Sequence, residues 1–127
     1  MKLEQQVLPV EQVKELIDLG FDVSKHASMK LIGNNLILTK ETGYYGVENI
    51  VPTLSIGDIM EILPAEIIDK DEDCNFYLYE LEIINNSISY YGFDIEGDIF
   101  SSGKNKTFID ALFETLKWCI KNKHIAL

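Results

Sequence analysis

Phe76-Tyr77-Leu78-Tyr79-Glu80-Leu81-Glu82-Ile83-Ile84, then Asn85-Asn86, then Ser87-Ile88-Ser89-Tyr90-Tyr91-Gly92-Phe93, is the stretch on which the fold turns. β-Branched and aromatic residues dominate both arms, and such residues favour a pleated, half-buried surface. The arms are separated by two asparagines. Asparagine tolerates positive φ, so the spacing predicts a two-residue hairpin turn of type I′. A two-residue turn sets the register: Ile83 faces Ile88 and Leu81 faces Tyr90 on one side of the sheet. Glu82 then faces Ser89, and Glu80 faces Tyr91, on the other. Apolar residues match across the strands, so the register is consistent with one buried and one solvated face.

The pattern C-terminal to the hairpin is a short strand over Asp98–Ser101 and then the strongest helix of the chain. Thr107 is placed to cap it and Asp110 sits in its first turn, where a carboxylate suits the positive end of the helix dipole. Phe108, Leu112, Leu116, Cys119 and Ile120 recur at helical spacing as its apolar face, with Ala111 permitting close approach. Asp110, Glu114, Lys117 and Lys121 fall on the other side.

N-terminal to the hairpin, Val10, Val13, Leu16 and Ile17 share a face of a helix that starts at Pro9. Gly20 is its C-terminal stop, and Phe21 folds back on it. Two short strands, about Ser28–Ile32 and Leu36–Lys40, flank a Gly33-Asn34-Asn35 turn, and Thr42–Asn49 reads as a loop. Ile50–Thr53 is a strand that Pro52 confines to a sheet edge. Ser55 and Asp58 have the spacing of a capping box for a second helix. Its stripe is Ile56, Ile59, Met60 and Leu63, and Pro64 ends it.

This order of elements predicts an α+β class: a single domain over residues 1–127, with one antiparallel sheet of about 4–6 strands and three helices packed mainly on one face.

The chain has 127 residues, 46% of them hydrophobic, which is enough for a real core without metal or disulfides. Cys74 and Cys119 read as free thiols of a reducing compartment, and no apolar run approaches the ~20 residues that span a bilayer. With no secretory leader at Met1, the expectation is a cytoplasmic protein.

Charge narrows the partners. The net charge is −10 and there is no arginine. Residues 58–98 hold twelve acidic residues and one lysine, a net −11, between a segment of −2 and a tail of +3. Such a block repels nucleic-acid backbones and anionic membranes, so neither is expected as a direct partner.

Short motifs carry little chemistry. Asp69, Asp71 and Asp73, with Glu80 at the twelfth place, have calcium-loop spacing, but Cys74 stands where glycine is required and a strand follows. A solvated acidic turn is the better reading. His26 and His124 belong to no metal-ligand cluster. Cys119 lies on an apolar helix face, and Cys74 stands beside Glu72 and Asp73, whose charge disfavours a reactive thiolate. Ser101-Ser102-Gly103-Lys104 lacks the glycine spacing of a phosphate loop. No catalytic, cofactor-binding or metal-ligating residue is therefore assigned.

Three segments carry a resemblance. Val7-Leu8-Pro9-Val10-Glu11-Gln12 through Leu19-Gly20-Phe21-Asp22 is similar to the opening of small, functionally unassigned proteins encoded by prophages and conjugative elements of gut anaerobic bacteria. Val51-Pro52-Thr53-Leu54-Ser55-Ile56-Gly57-Asp58-Ile59, on to Ile62-Leu63-Pro64, resembles their middle. Phe108-Ile109-Asp110-Ala111-Leu112, with Leu116-Lys117-Trp118-Cys119-Ile120-Lys121-Asn122, resembles their closing helix. These are capping and packing patterns. They imply a fold and a mobile-element setting, and no activity.

The expected function is that of a non-enzymatic accessory or interaction protein of a mobile element. Its candidate partner surface is Leu78, Glu80, Glu82, Tyr91 and Phe93 on the hairpin, with Asp69, Asp71 and Asp73 in the acidic turn. The alternative is an acidic nucleic-acid mimic that blocks a DNA-binding or defence protein. A small enzyme without a recognisable motif is the third reading. A homodimer through the edge near Pro52 or through the hairpin is a further expectation.

Overall fold

The computed structural model describes residues 6–32, 35–38 (backbone), 50–104 and 107–127. It is α+β. In order the elements are α1 (Val10–Asp18), α2 (Val23–His26), β1 (Met29–Ile32), β2 (Asn35–Leu38), β3 (Ile50–Thr53), α3 (Ile56–Ile62), β4 (Glu66–Lys70), β5 (Phe76–Ile84), β6 (Ser87–Gly92), β7 (Gly97–Ser101) and α4 (Phe108–Lys121). They divide between two compact units, Met1–Ile62 with Leu127, and Leu63–Ala126.

The first unit holds an antiparallel sheet of order β2-β1-β3. The proline-bearing strand β3 is at its edge, as expected. The Ile32–Asn35 pairing puts Asn35 inside β2 rather than in the turn. Gly33-Asn34 and the Thr42–Asn49 loop lie outside the described residues. Helix α1 ends as the glycine requires. Gly20 has φ 90°, its N–H donates to Ile17 O at 2.9 Å, and the Phe21 N–H donates to Leu16 O at 3.1 Å. These two bonds satisfy carbonyls that a helix end leaves open. Val13 and Leu16 are buried, but Ile17 is 54% exposed, so it leaves the expected apolar face.

The capping box at α3 is reciprocal. Ser55 N donates to Asp58 Oδ2 at 3.0 Å, and Asp58 N donates to Ser55 Oγ at 3.1 Å. Asp58 Oδ2 also accepts from Ser28 N and Oγ, at 3.1 and 2.8 Å, tying the entry to β1 onto the helix start. Of the expected stripe, Ile59 and Leu63 are buried, Ile56 is half-buried and Met60 is exposed.

The second unit holds an antiparallel sheet of order β4-β5-β6-β7. The hairpin pairs Ile83 with Ile88, Leu81 with Tyr90, Glu82 with Ser89 and Glu80 with Tyr91, the register that the two-residue turn dictates. The turn type differs from expectation. Asn85 has φ 57° but Asn86 has no positive φ. A type I′ turn needs both, whereas type II′ places its one positive φ at the first position.

Helix α4 packs on β6 and β7. The Trp118 ring stacks on Phe100 and Tyr90, with centroids 4.9 and 5.9 Å away. Thr107 caps α4, its Oγ1 accepting from Asp110 N at 3.2 Å. The buried surface is wider than one stripe: Ile109, Phe113 and Thr115 are buried beside Leu112, Leu116 and Cys119, while Phe108 is only half-buried. Thr115 is accommodated because its hydroxyl donates to Ala111 O at 2.7 Å.

The single sheet expected from the sequence is thus two sheets, and α2, a single turn, makes a fourth helix. The reason is β4. It covers one edge of the hairpin through five pairs from Glu66–Glu80 to Lys70–Phe76, and β7 covers the other. Both edges of the hairpin are occupied, and among the described residues no ladder joins β3 to the four-stranded sheet.

Candidate partner surface

The pleat assigns side chains to faces. In the four-stranded sheet, Tyr79, Ile88 and Tyr90 point inward and are buried. The opposite face carries Leu78, Glu80 and Glu82 from β5, and Tyr91 from β6 across from Glu80. Tyr91 and Phe93 meet edge to face with centroids 4.9 Å apart. Five of the hairpin residues named from the sequence therefore share one surface.

Strand β4 widens that surface in a way the sequence did not announce. Glu66 pairs with Glu80, Ile68 with Leu78 and Lys70 with Phe76, all on the same outer face. The apolar members are open to solvent: Ile68 is 67% exposed, Phe76 71%, Leu78 39% and Phe93 59%. Scattered apolar residues on a surface are ordinary, whereas here the apolar members gather on one face of one sheet. Glu66 and Ile68 were signalled only by the weak alternation of Glu66-Ile67-Ile68-Asp69-Lys70, in which Ile67 alone is buried. Phe76 was not nominated, although alternation along β5 puts it on the face of Leu78 and Glu80.

A bulge sets the far side of the face. Tyr90 pairs with Phe100 and Tyr91 with Asp98, which leaves Ile99 as the extra residue. The displacement brings Asp98, rather than Ile99, across from Tyr91.

The acidic turn is placed differently from the hairpin residues. Asp69 pairs with Tyr77, on the face opposite Leu78. Asp71 is spent inside the turn. Its Oδ1 accepts from Asn75 N and Asp73 N, each at 2.9 Å, and its Oδ2 accepts from Tyr77 Oη at 3.1 Å and Asn75 Nδ2 at 3.3 Å. The Asn75 backbone bond, followed by the side-chain bonds from Asn75 and Tyr77, lowers the Asp71 pKa below the ordinary carboxylate value. Asp71 is therefore the residue that shapes the turn, and Glu72 and Asp73 project from it, exposed. Cys74 takes φ 64°, the left-handed conformation in which the tight bend places it. Among the described residues no group of three or more His, Cys, Asp or Glu is arranged to hold a metal ion.

Topology concentrates the acids further. The β4–β5 and β6–β7 turns emerge at the same end of the sheet, because β5 and β6 are antiparallel. Glu72 and Asp73 in the first, and Asp94 and Glu96 in the second, are exposed there. From Glu66 to Ser101 the sheet and its turns carry ten acidic residues against Lys70 alone, a net charge of −9.

The histidines have packing partners. His26 stacks on Phe21 at 5.1 Å, and His124 lies against Trp118 at 4.9 Å. Cys119 is buried, and burial pushes its thiol pKa up to about 11, a state unsuited to a nucleophile. Ser102 joins strands: its Oγ accepts from Ile88 N and its N–H donates to Ile88 O, both at 2.8 Å.

The first unit has an open cleft of about 350 Å³ between the end of α1, α2 and β3. Val13, Ile17, Phe21, Val23, Val51 and Pro52 make it mainly apolar. Its carboxylate, Asp22, is held by Ser24 Oγ at 2.8 Å and Lys25 N at 3.3 Å. Among the described residues no helix is long and apolar enough to cross a membrane.

Comparisons of the chain with family models, with curated proteins and with solved structures find no match.

Proposed function

We propose that this chain is a non-enzymatic interaction protein, an accessory factor of a mobile genetic element working in the bacterial cytoplasm, and that it acts by presenting the outer face of its four-stranded sheet to a protein partner. One observation carries the reading. Ile68, Phe76, Leu78 and Phe93 stand exposed on a single face together with Glu66, Glu80, Glu82 and Tyr91. Leaving that much apolar side chain in water forgoes burial worth about 25 cal/mol per Å², and a partner that covers it recovers the loss.

An acidic nucleic-acid mimic is the second reading, supported by the two acidic turns at one end of the sheet. A mimic needs uninterrupted rows of acids at phosphate-like spacing. On this face Leu78 separates Phe76 from Glu80 along β5, and Ile68 separates Glu66 from Lys70 along β4, so the apolar set favours the first reading.

The test is affinity capture of the tagged protein from its host's lysate at low and high salt, with a Glu80→Lys/Glu82→Lys/Tyr91→Ala variant in parallel. A partner kept at high salt and lost by the variant is the expected result. A partner captured equally by the variant would sink the assignment of this face. A partner held only at low salt would transfer support to the mimic.

A further inference from the structure

The face that serves as the partner surface also constrains the chemistry of what covers it, and the inference below rests on that reading. Its outer surface spans four strands. At about 4.8 Å between strands and about 3.3 Å per residue, it is on the order of 15 Å by 25 Å, or roughly 400 Å². A standard interface takes about 800 Å² from each partner, so the face is the right size for one segment of chain and too small for a domain-sized docking.

Charge selects among segments. Glu66 and Glu80 are directly opposed on the face and Glu82 follows on β5, with only Lys70 of opposite sign. The turns at one end add Glu72, Asp73, Asp94 and Glu96, all exposed. A second copy of this chain would set these carboxylates against their own kind, and a phosphate-bearing partner would be repelled in the same way. The apolar side chains rule against a purely charged partner: Ile68 and Leu78 are neighbours across β4 and β5, and Phe93 packs on Tyr91. We infer that the face takes a lysine- or arginine-rich amphipathic segment of a partner protein. The apolar stripe of that segment covers Ile68, Leu78, Phe93 and Phe76, and its basic flanks reach Glu66, Glu80, Glu82 and the acidic turns. A helix, about 10–12 Å across, fits the width of the face.

Three substitutions, two that add a negative charge and one that reverses one, test this. The probe is a synthetic leucine–lysine peptide of about 18 residues patterned as an amphipathic helix (~5 turns). Oligolysine with the same number of lysines is the control, and binding is read by fluorescence anisotropy on the full chain. Leu78→Glu adds a negative charge. For simple attraction between opposite charges it tightens binding, whereas for docking on an apolar stripe it weakens it. The expected result is roughly fivefold to tenfold weaker peptide binding for Leu78→Glu and for Phe93→Glu, about 1–1.4 kcal/mol at about 1.4 kcal/mol per tenfold. Glu80→Lys weakens binding on the same scale, and oligolysine binds more weakly than the amphipathic peptide. Both glutamate variants replace exposed side chains, and circular dichroism checks that they fold. Equal binding of oligolysine and peptide, with Leu78→Glu tightening both, would overturn the inference, as would no peptide binding at all. In that last case a lysate partner that is lost by the Glu80→Lys/Glu82→Lys/Tyr91→Ala variant leaves the interaction function standing. Only the basic, amphipathic character of the partner then falls.

Discussion

The Tyr90 hydroxyl donates to the Pro64 carbonyl at 2.8 Å, from a side chain that is fully buried. Pro64 opens the way into β4, and the adjoining Ala65 carbonyl accepts from Leu81 N at 3.0 Å. The centre of the hairpin thus anchors the start of the strand that covers its edge. Proline suits the position, since it has no N–H to satisfy while its carbonyl meets a donor.

Removing that hydroxyl isolates the contribution. Tyr90→Phe keeps the ring stacked near Trp118 and leaves the Pro64 carbonyl without its donor. The expected cost is about 1–2 kcal/mol, read as a lower urea midpoint with an unchanged slope. A variant as stable as the parent would show that the bond is incidental.

Stability should fall on the alkaline side. Burial pushes the Cys119 thiol from 9.0 to about 11, and burial also raises the neighbouring Tyr90 phenol. Both groups keep their protons in the fold beyond the pH at which the unfolded chain releases them. The stabilisation is complete below about pH 9; the share of Cys119 is lost as pH rises from about 9 to 11, and that of Tyr90 begins to be lost above its ordinary value of 10.0. The slope approaches 1.4 kcal/mol per pH unit for each group titrating in the unfolded chain only. Urea midpoints measured across that range should decline, and Cys119→Ala should flatten the decline. A flat profile in the parent would contradict the burial of both groups.

Two helix ends differ only in the residue at the left-handed position. Gly20 ends α1 at φ 90°. Lys123 ends α4 at φ 63°, with Lys123 N donating to Ile120 O at 3.2 Å and His124 N to Cys119 O at 2.9 Å. Only glycine adopts that conformation without strain, at a difference of about 1 kcal/mol. Lys123→Gly should therefore raise the melting temperature and Gly20→Ala should lower it. The same sign for both would refute the shared geometry.

Gly92 is required for space. A Cβ there would lie 3.0 Å from two atoms of the Tyr79 ring and 3.1 Å from Ile95. Tyr79 is buried and cannot swing away. Gly92→Ala should cost about 1–3 kcal/mol through overpacking, and a Gly92→Ala/Tyr79→Leu double variant should recover part of it. Additive losses would show that the two residues do not interact.

Local pattern made several elements legible. Asn85-Asn86 dictated the hairpin register because a two-residue loop leaves one way to pair the arms. Ser55 with Asp58, Thr107 and Gly20 marked helix ends because their side chains, or the lack of one, satisfy groups that every helix leaves open. The residues nominated on β5 and β6 share a face because strand alternation is a property of the backbone alone.

Other features were decided by the tertiary structure. Strand β4 has one buried residue, Ile67, so its periodicity is faint, and it exists as a strand because the edge of β5 supplies its hydrogen bonds. Its presence closes the hairpin's open edge, divides the strands between two sheets and adds Glu66 and Ile68 to the outer face. The bulge at Ile99 chooses which β7 side chain meets Tyr91, and the bonds around Asp71 turn a nominated contact residue into a structural one. Composition determined the strongly acidic charge. Only the antiparallel pairing of β5 with β6 decided that two acidic turns distant in sequence, one with Glu72 and Asp73 and the other with Asp94 and Glu96, stand at one end of one sheet, because pairing distance in space is blind to separation along the chain.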